Sequence, residues 1–149
     1  MADWTPDLTL NHDLLDAQHV EIFRKLRDAA EVLDGPVARV ETAVAALGET
    51  LVVHLATEER LMDEVLYPER TRHRSAHELF TADFLQMRDE LTQHGATPLV
   101  ADWLRRRTPE WLHFHIRVND LPFGAFLARR RARDVDPARP RSDGPVRRS

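Results

Sequence analysis

Residues 40–65 read VETAVAALGETLVVHLATEERLMDEV. Alternating steps of four and three from Val40 pick out Val44, Leu47, Leu51, His54, Glu58, Leu61 and Val65. Such stepping marks the inward stripe of a long helix packed in a bundle. The stripe is apolar except at His54 and Glu58, one helical turn apart. A buried imidazole and a buried carboxylate are costly unless something satisfies them.

The same stepping works on both sides of this segment. An earlier helix, opening near Asn11–Asp13 and closing at Asp34-Gly35-Pro36, has the seam Leu15, His19, Ile22, Leu26, Ala29, Leu33. The central segment is expected as a helix over about 37–65, stopped before Pro68. A third helix, from about Glu69 to His94 and ended by Gly95, has His73, His77, Phe80, Phe84, Met87, Leu91. A fourth, from about Leu99 to near Asp120 with an irregularity at Pro109, has Leu104, Thr108, Trp111, His115, Val118. Short connections between long helices imply antiparallel neighbours. The expected fold is therefore all-α: an up-down-up-down antiparallel four-helix bundle.

Composition narrows the function. There are no cysteines, which excludes disulfides, thiolate metal sites and thiol nucleophiles. No uninterrupted apolar run approaches the roughly 18–20 residues that span a bilayer. Met1 to Leu10 lack the basic-then-apolar build of a signal peptide, so a cytoplasmic protein with no membrane partner is expected. The net charge of −4 is uneven: residues 129–149 hold eight Arg and three Asp, a net +5, which leaves −9 on the body. An acidic body argues against nucleic-acid binding. The reading is one bundle domain over 1–128, with 1–11 as an N-terminal arm. Residues 129–149 are expected to form a basic, disordered tail, either a solubilising appendage or a contact for acidic partners.

One histidine in a helical seam is ordinarily a core residue hydrogen-bonded to a neighbour. Five are not easily accommodated that way. His54/Glu58 and His73/His77 are i,i+4 pairs, about 6 Å apart on one face, a natural grip for a metal ion. Imidazole with carboxylate and no thiolate suits iron, and less specifically zinc, manganese or copper.

Several stretches, in order, carry a resemblance: Trp4; Leu15-Asp16-Ala17-Gln18-His19; His54-Leu55-Ala56-Thr57-Glu58-Glu59; Met62; Tyr67-Pro68; His73 and His77, then Phe80; and Trp111-Leu112-His113-Phe114-His115-Ile116 leading to Asp120. Over about residues 4–127 the chain resembles the single-domain bacterial members of the hemerythrin family. The resemblance implies seven metal ligands: His19, His54, Glu58, His73, His77, His115 and Asp120. It assigns His73, His77 and His115 to one iron and His19 and His54 to the other, with Glu58 and Asp120 bridging. Those groups and a bridging oxo or hydroxo group fill two octahedral ions at every position but one. The implied function is reversible dioxygen binding at the five-coordinate iron by a monomeric, non-enzymatic carrier, with nitric oxide a further small ligand. Trp111 and Leu112 are placed beside the oxygen pocket. Asp120 is the ligand that spacing would not choose, being about 140° beyond His115 on an ideal helix, with Pro122 close behind.

The remaining histidines, His12, His94 and His113, are expected to face solvent. Asp16 reads either as a partner that orients His19 or as an exposed acid at a helix start. The competing functions are a di-iron oxidase or ferroxidase, an O2/NO sensor, and iron storage. Ferritin-like oxidases use Glu-x-x-His pairs on two helices. Here only Glu110 to His113 has that spacing.

Overall fold

The computed structural model describes residues 3–135. Helix α1 spans Asp13–Glu31, α2 spans Val37–Glu64 and α3 spans Arg70–His94. The fourth, α4, is one helical stretch over 98–135, built from the α-helical segments Pro98–Asp102, Thr108–His115 and Leu121–Val135 with π-turns at Trp103–Arg107 and Ile116–Asp120 between them. Consecutive helices pack on one another, and α4 returns to α1, closing an antiparallel four-helix bundle.

Local chemistry explains the punctuation. The His12 ring, through Nδ1, accepts the Leu15 N–H and caps α1. The turn after α2 has Leu66 at φ 52°, with Tyr67 N–H returning to Met62 O, the helix-ending arrangement usually built on glycine. It delivers Tyr67 onto Phe123 and Phe126 of α4. Gly95, at φ 81°, ends α3, and Thr97 caps the start of α4. Gly48 on α2 admits the Phe84 ring of α3, which would lie 3.1 Å from an added Cβ.

The expected seams line the core, among them Leu15, Ile22, Leu26, Val40, Leu47, Met87 and Leu104. Each fully buried aliphatic side chain of this kind stabilises the fold by about 1.5–3 kcal/mol. The seams depart from expectation in two stretches. Near the end of α2, Met62 is fully buried while Leu61 and Val65 are only half-buried. On α4, Val118 is 42% exposed instead of lining the core.

That second departure comes from the π-turns. Pro109 and Pro122 lack the N–H that would bond Arg105 O and Val118 O, and their rings would crowd those carbonyls. In each case the preceding turn widens: Thr108 N–H reaches back to Trp103 O, and Leu121 N–H to Ile116 O. Pro122 therefore does not end the helix. Leu121 keeps helical dihedrals, φ −59° and ψ −46°, and the helix runs on to Val135. Residues 129–135, placed in the tail by composition, are helical, and Arg131 donates to Asn11 O at 2.7 Å. The rest of that tail, 136–149, lies outside the described residues.

By length and composition α2 would suffice to cross a bilayer, with mean hydropathy 1.3 over an 18-residue window. In this fold its Val40–Leu51 stripe and its His54 and Glu58 side chains are buried within the bundle.

Candidate metal centre

Seven polar side chains meet inside the bundle toward one end. α1 supplies His19, α2 His54 and Glu58, α3 His73 and His77, and α4 His115 and Asp120. None is more than 2% exposed. They form two overlapping groups whose ligand atoms lie within 4.8 Å of one another: His73, His77, His115, Glu58 and Asp120, and His19, His54, Glu58 and Asp120.

The carboxylates are divided between the groups oxygen by oxygen. Glu58 Oε1 is 3.1 Å from Nε2 of both His73 and His77, while Oε2 is 3.3 Å from His54 Nε2. Asp120 Oδ1 is 2.9 Å from His73 Nε2 and 3.1 Å from His115 Nε2, while Oδ2 is 3.0 Å from His19 Nε2. One oxygen of each carboxylate thus serves each group. Each carboxylate can therefore serve both groups.

Asp120 owes its place to the second π-turn. With backbone bonds to i−5, the fifth residue of the turn comes round to where the fourth would lie in an α-helix. Asp120 therefore sits over His115, and Val118 is rotated outward.

The buried atoms lack ordinary partners. Glu58 Oε2, His115 Nε2 and both Asp120 carboxylate oxygens are buried without a hydrogen bond. Four orphaned atoms at one point of a core are the mark of a bound cation. Charge complementarity supports the same conclusion. Burial pushes Glu58 and Asp120 toward the neutral form, yet the imidazoles around them hold both well below the usual carboxylate range. Burial likewise opposes protonation of His73, but Asp120 and Glu58 outweigh it and hold that ring at about 9. His19 is raised for the same reason, against its own burial. Anionic oxygens and inward-turned Nε2 atoms make a cation-binding cage, and its imidazole-rich donor set suits iron.

Residues 10–125 match the family model of the hemerythrin HHE cation binding domain. The chain belongs to the hemerythrin family. A bacteriohemerythrin of Stenotrophomonas maltophilia is 32% identical over 124 residues, 78% of this chain and 75% of the relative. A bacteriohemerythrin of Pseudomonas aeruginosa is 30% identical over 120 residues, with the same coverage.

Behind the seven candidate donors lies a ring of partners that the periodicity did not reveal. His54 Nδ1 donates to Gln18 Oε1 at 2.8 Å, and His77 Nδ1 donates to Glu59 Oε2 at 3.0 Å. The Asn119 amide lies 3.1 Å from His115 Nδ1. Among the described residues, His19 Nδ1 and His73 Nδ1 have no hydrogen-bond partner. Asp16 fills neither role expected of it. It ties down the arm, accepting from Leu10 N–H at 2.7 Å, His12 N–H at 3.2 Å and Thr9 Oγ1 at 2.9 Å.

Of the three histidines expected in solvent, only His94 is exposed, beside Glu90. His12 is the half-buried cap of α1. His113 donates through Nε2 to Asp3 O at 3.0 Å and meets the Phe23 ring, under the N-terminal arm. His12 is half-covered because its ring turns back onto the first turn of α1, and His113 because the arm bonds to it at Asp3, neither of which helical periodicity reports. Trp111 stacks flat on His115, with ring centroids 4.5 Å apart and planes 10° apart, and on Phe80 from the other side. It therefore lies against the three-imidazole group. Leu112 is buried, 4% exposed.

Proposed function

We propose that this chain is a di-iron protein that binds dioxygen reversibly, a carrier or store rather than an enzyme. The observation that carries this reading is the inequality of the two donor groups. Three imidazoles serve one position and two serve the other, while both carboxylates span the pair. With a bridging oxo or hydroxo group, the position held by His19 and His54 keeps one place free for a small ligand. Bound iron supplies the electrons and the coordination position that dioxygen takes.

The residues have separable tasks. Glu58 and Asp120 hold the two positions at a fixed separation. The five imidazoles carry no charge when bound, so they leave the centre poor in the anionic donors that favour strong oxidants. Leu112 is assigned to excluding water beside the centre, which slows irreversible loss of electrons, while Trp111 braces His115 of the three-imidazole group. No side chain is required to abstract a proton.

Anaerobic loading with ferrous iron, followed by alternating air and argon with a reductant present, tests this reading. Repeated appearance and disappearance of the oxygenated spectrum, without steady consumption of reductant, is expected. Continuous consumption of reductant would identify an oxidase instead.

A further inference from the structure

One ring in each donor group is held from behind by different chemistry, while His115 has the neutral Asn119 amide beside its Nδ1. On the three-imidazole side, the His77 Nδ1–H donates to a carboxylate, Glu59. Glu59 also accepts from Arg74 Nε at 3.1 Å, and Arg74 bonds Asp63 at 3.0 Å, so Arg74 is shared between two acids. On the two-imidazole side, the His54 Nδ1–H donates to a neutral amide, Gln18. The Gln18 amide is fixed in turn, donating to Thr57 Oγ1 at 3.1 Å, while Thr57 donates to Val53 O at 2.7 Å. Each partner is the sequence neighbour of a ligand, Gln18 of His19 and Glu59 of Glu58, yet each orients a ring on another helix.

An imidazole that donates to a carboxylate is a stronger electron donor through its other nitrogen than one that donates to an amide. The difference in ligand count and the difference in backing charge therefore act in the same direction. We infer that Glu59 and Gln18 are positioning residues that make the two metal positions unequal: Glu59 strengthens the grip of the three-imidazole position, and Gln18 orients His54 without a charge and leaves the two-imidazole position the weaker holder. This rests on the di-iron reading. It adds that the ion on the open side is the first to leave.

The test loads the full chain anaerobically with ferrous iron and dialyses it against rising concentrations of a weak ferrous chelator. The parent is expected to lose iron in two steps, with a plateau near about one ion per chain. Gln18→Leu should bring the first loss to about 10- to 100-fold lower chelator and leave the second in place. Glu59→Gln, which keeps an acceptor but removes the charge, should move the second loss toward the first and shorten the plateau. Gln18→Glu should hold the first ion more tightly than the parent does, an effect that mere packing at this position cannot produce. Loss of both ions in one step from the parent, or equal behaviour of Gln18→Leu and Gln18→Glu, overturns the inference. A parent that never holds more than one iron refutes the di-iron reading itself, and the inference with it.

Discussion

His115 and Asp120 turn toward the same point of the cage although they stand five positions apart: Nε2 of one lies 3.1 Å from Oδ1 of the other. The π-turn between them makes this possible, and Pro122 removes the N–H that would otherwise close an α-turn on Val118 O. Replacing Pro122 with Ala restores that donor, and an interior proline is worth about 3 kcal/mol against a regular helix. The metal-free variant should melt no lower than the parent, because its helix can regularise. Its iron retention should fall, because a regular helix swings Asp120 out of the cage. Parallel melting curves and metal analysis check this, and unchanged iron in Pro122→Ala would show that the turn holds its shape without the proline.

His113 and His115 separate the cage from its surroundings. His115→Ala should abolish retention of the full iron complement. His113→Ala removes one half-buried hydrogen bond to Asp3 O, worth about 1 kcal/mol, and should keep the iron. Equal iron loss in the two variants would contradict the assignment.

Much of the cage was legible because six of its residues lie in regular helix. His19, His54, Glu58, His73, His77 and His115 all fall on four-three steps, and the burial they share is what those steps encode. Asp120 was out of step, and Val118 stood in its place, because the π-turn changes the period for one turn only. The family resemblance named Asp120; the periodicity could not. Gln18 and Glu59 escaped for a different reason. Their partners, His54 and His77, lie 36 and 18 residues away on facing helices, and a pattern within one helix carries no information about a bond between two. Composition alone places 129–135 in the tail because an Arg-rich stretch gives little to bury, whereas Arg131 acts by anchoring to the Asn11 carbonyl.

Leu112 tests the water-excluding role. Leu112→Ala should keep both irons, cost about 2–4 kcal/mol if the surroundings do not collapse, and speed decay of the oxygenated form to the ferric form. Decay at the parental rate in a folded, loaded variant would reduce Leu112 to packing.

Without metal, the cage should respond to pH. His73 sits at about 9 against an ordinary 6.5, since the Asp120 and Glu58 carboxylates outweigh its burial. A raised folded-state value gives stability that is complete below pH 6.5 and lost as pH rises through about 9. Metal-free protein should thus weaken over that interval, by an amount on the order of 2–3 kcal/mol. Glu58 and Asp120, shifted downward, contribute stability that is lost only in acid, well below this window. Iron-loaded protein should not show the alkaline loss, because the metal holds the nitrogen that would otherwise take the proton. Denaturant midpoints at pH 6, 7.5 and 9 for both forms check the sign, and a metal-free protein that gains stability toward pH 9 would contradict it.

On the proposed function, one of two unequal iron positions takes up dioxygen and gives it back. Gas uptake measured together with iron content tests it most directly. Deoxygenated protein carrying about two irons per chain should absorb about one dioxygen per chain and release it under argon, with the iron ferrous again. Uptake that is not recovered under argon, or that continues past about one dioxygen per chain, would contradict the account.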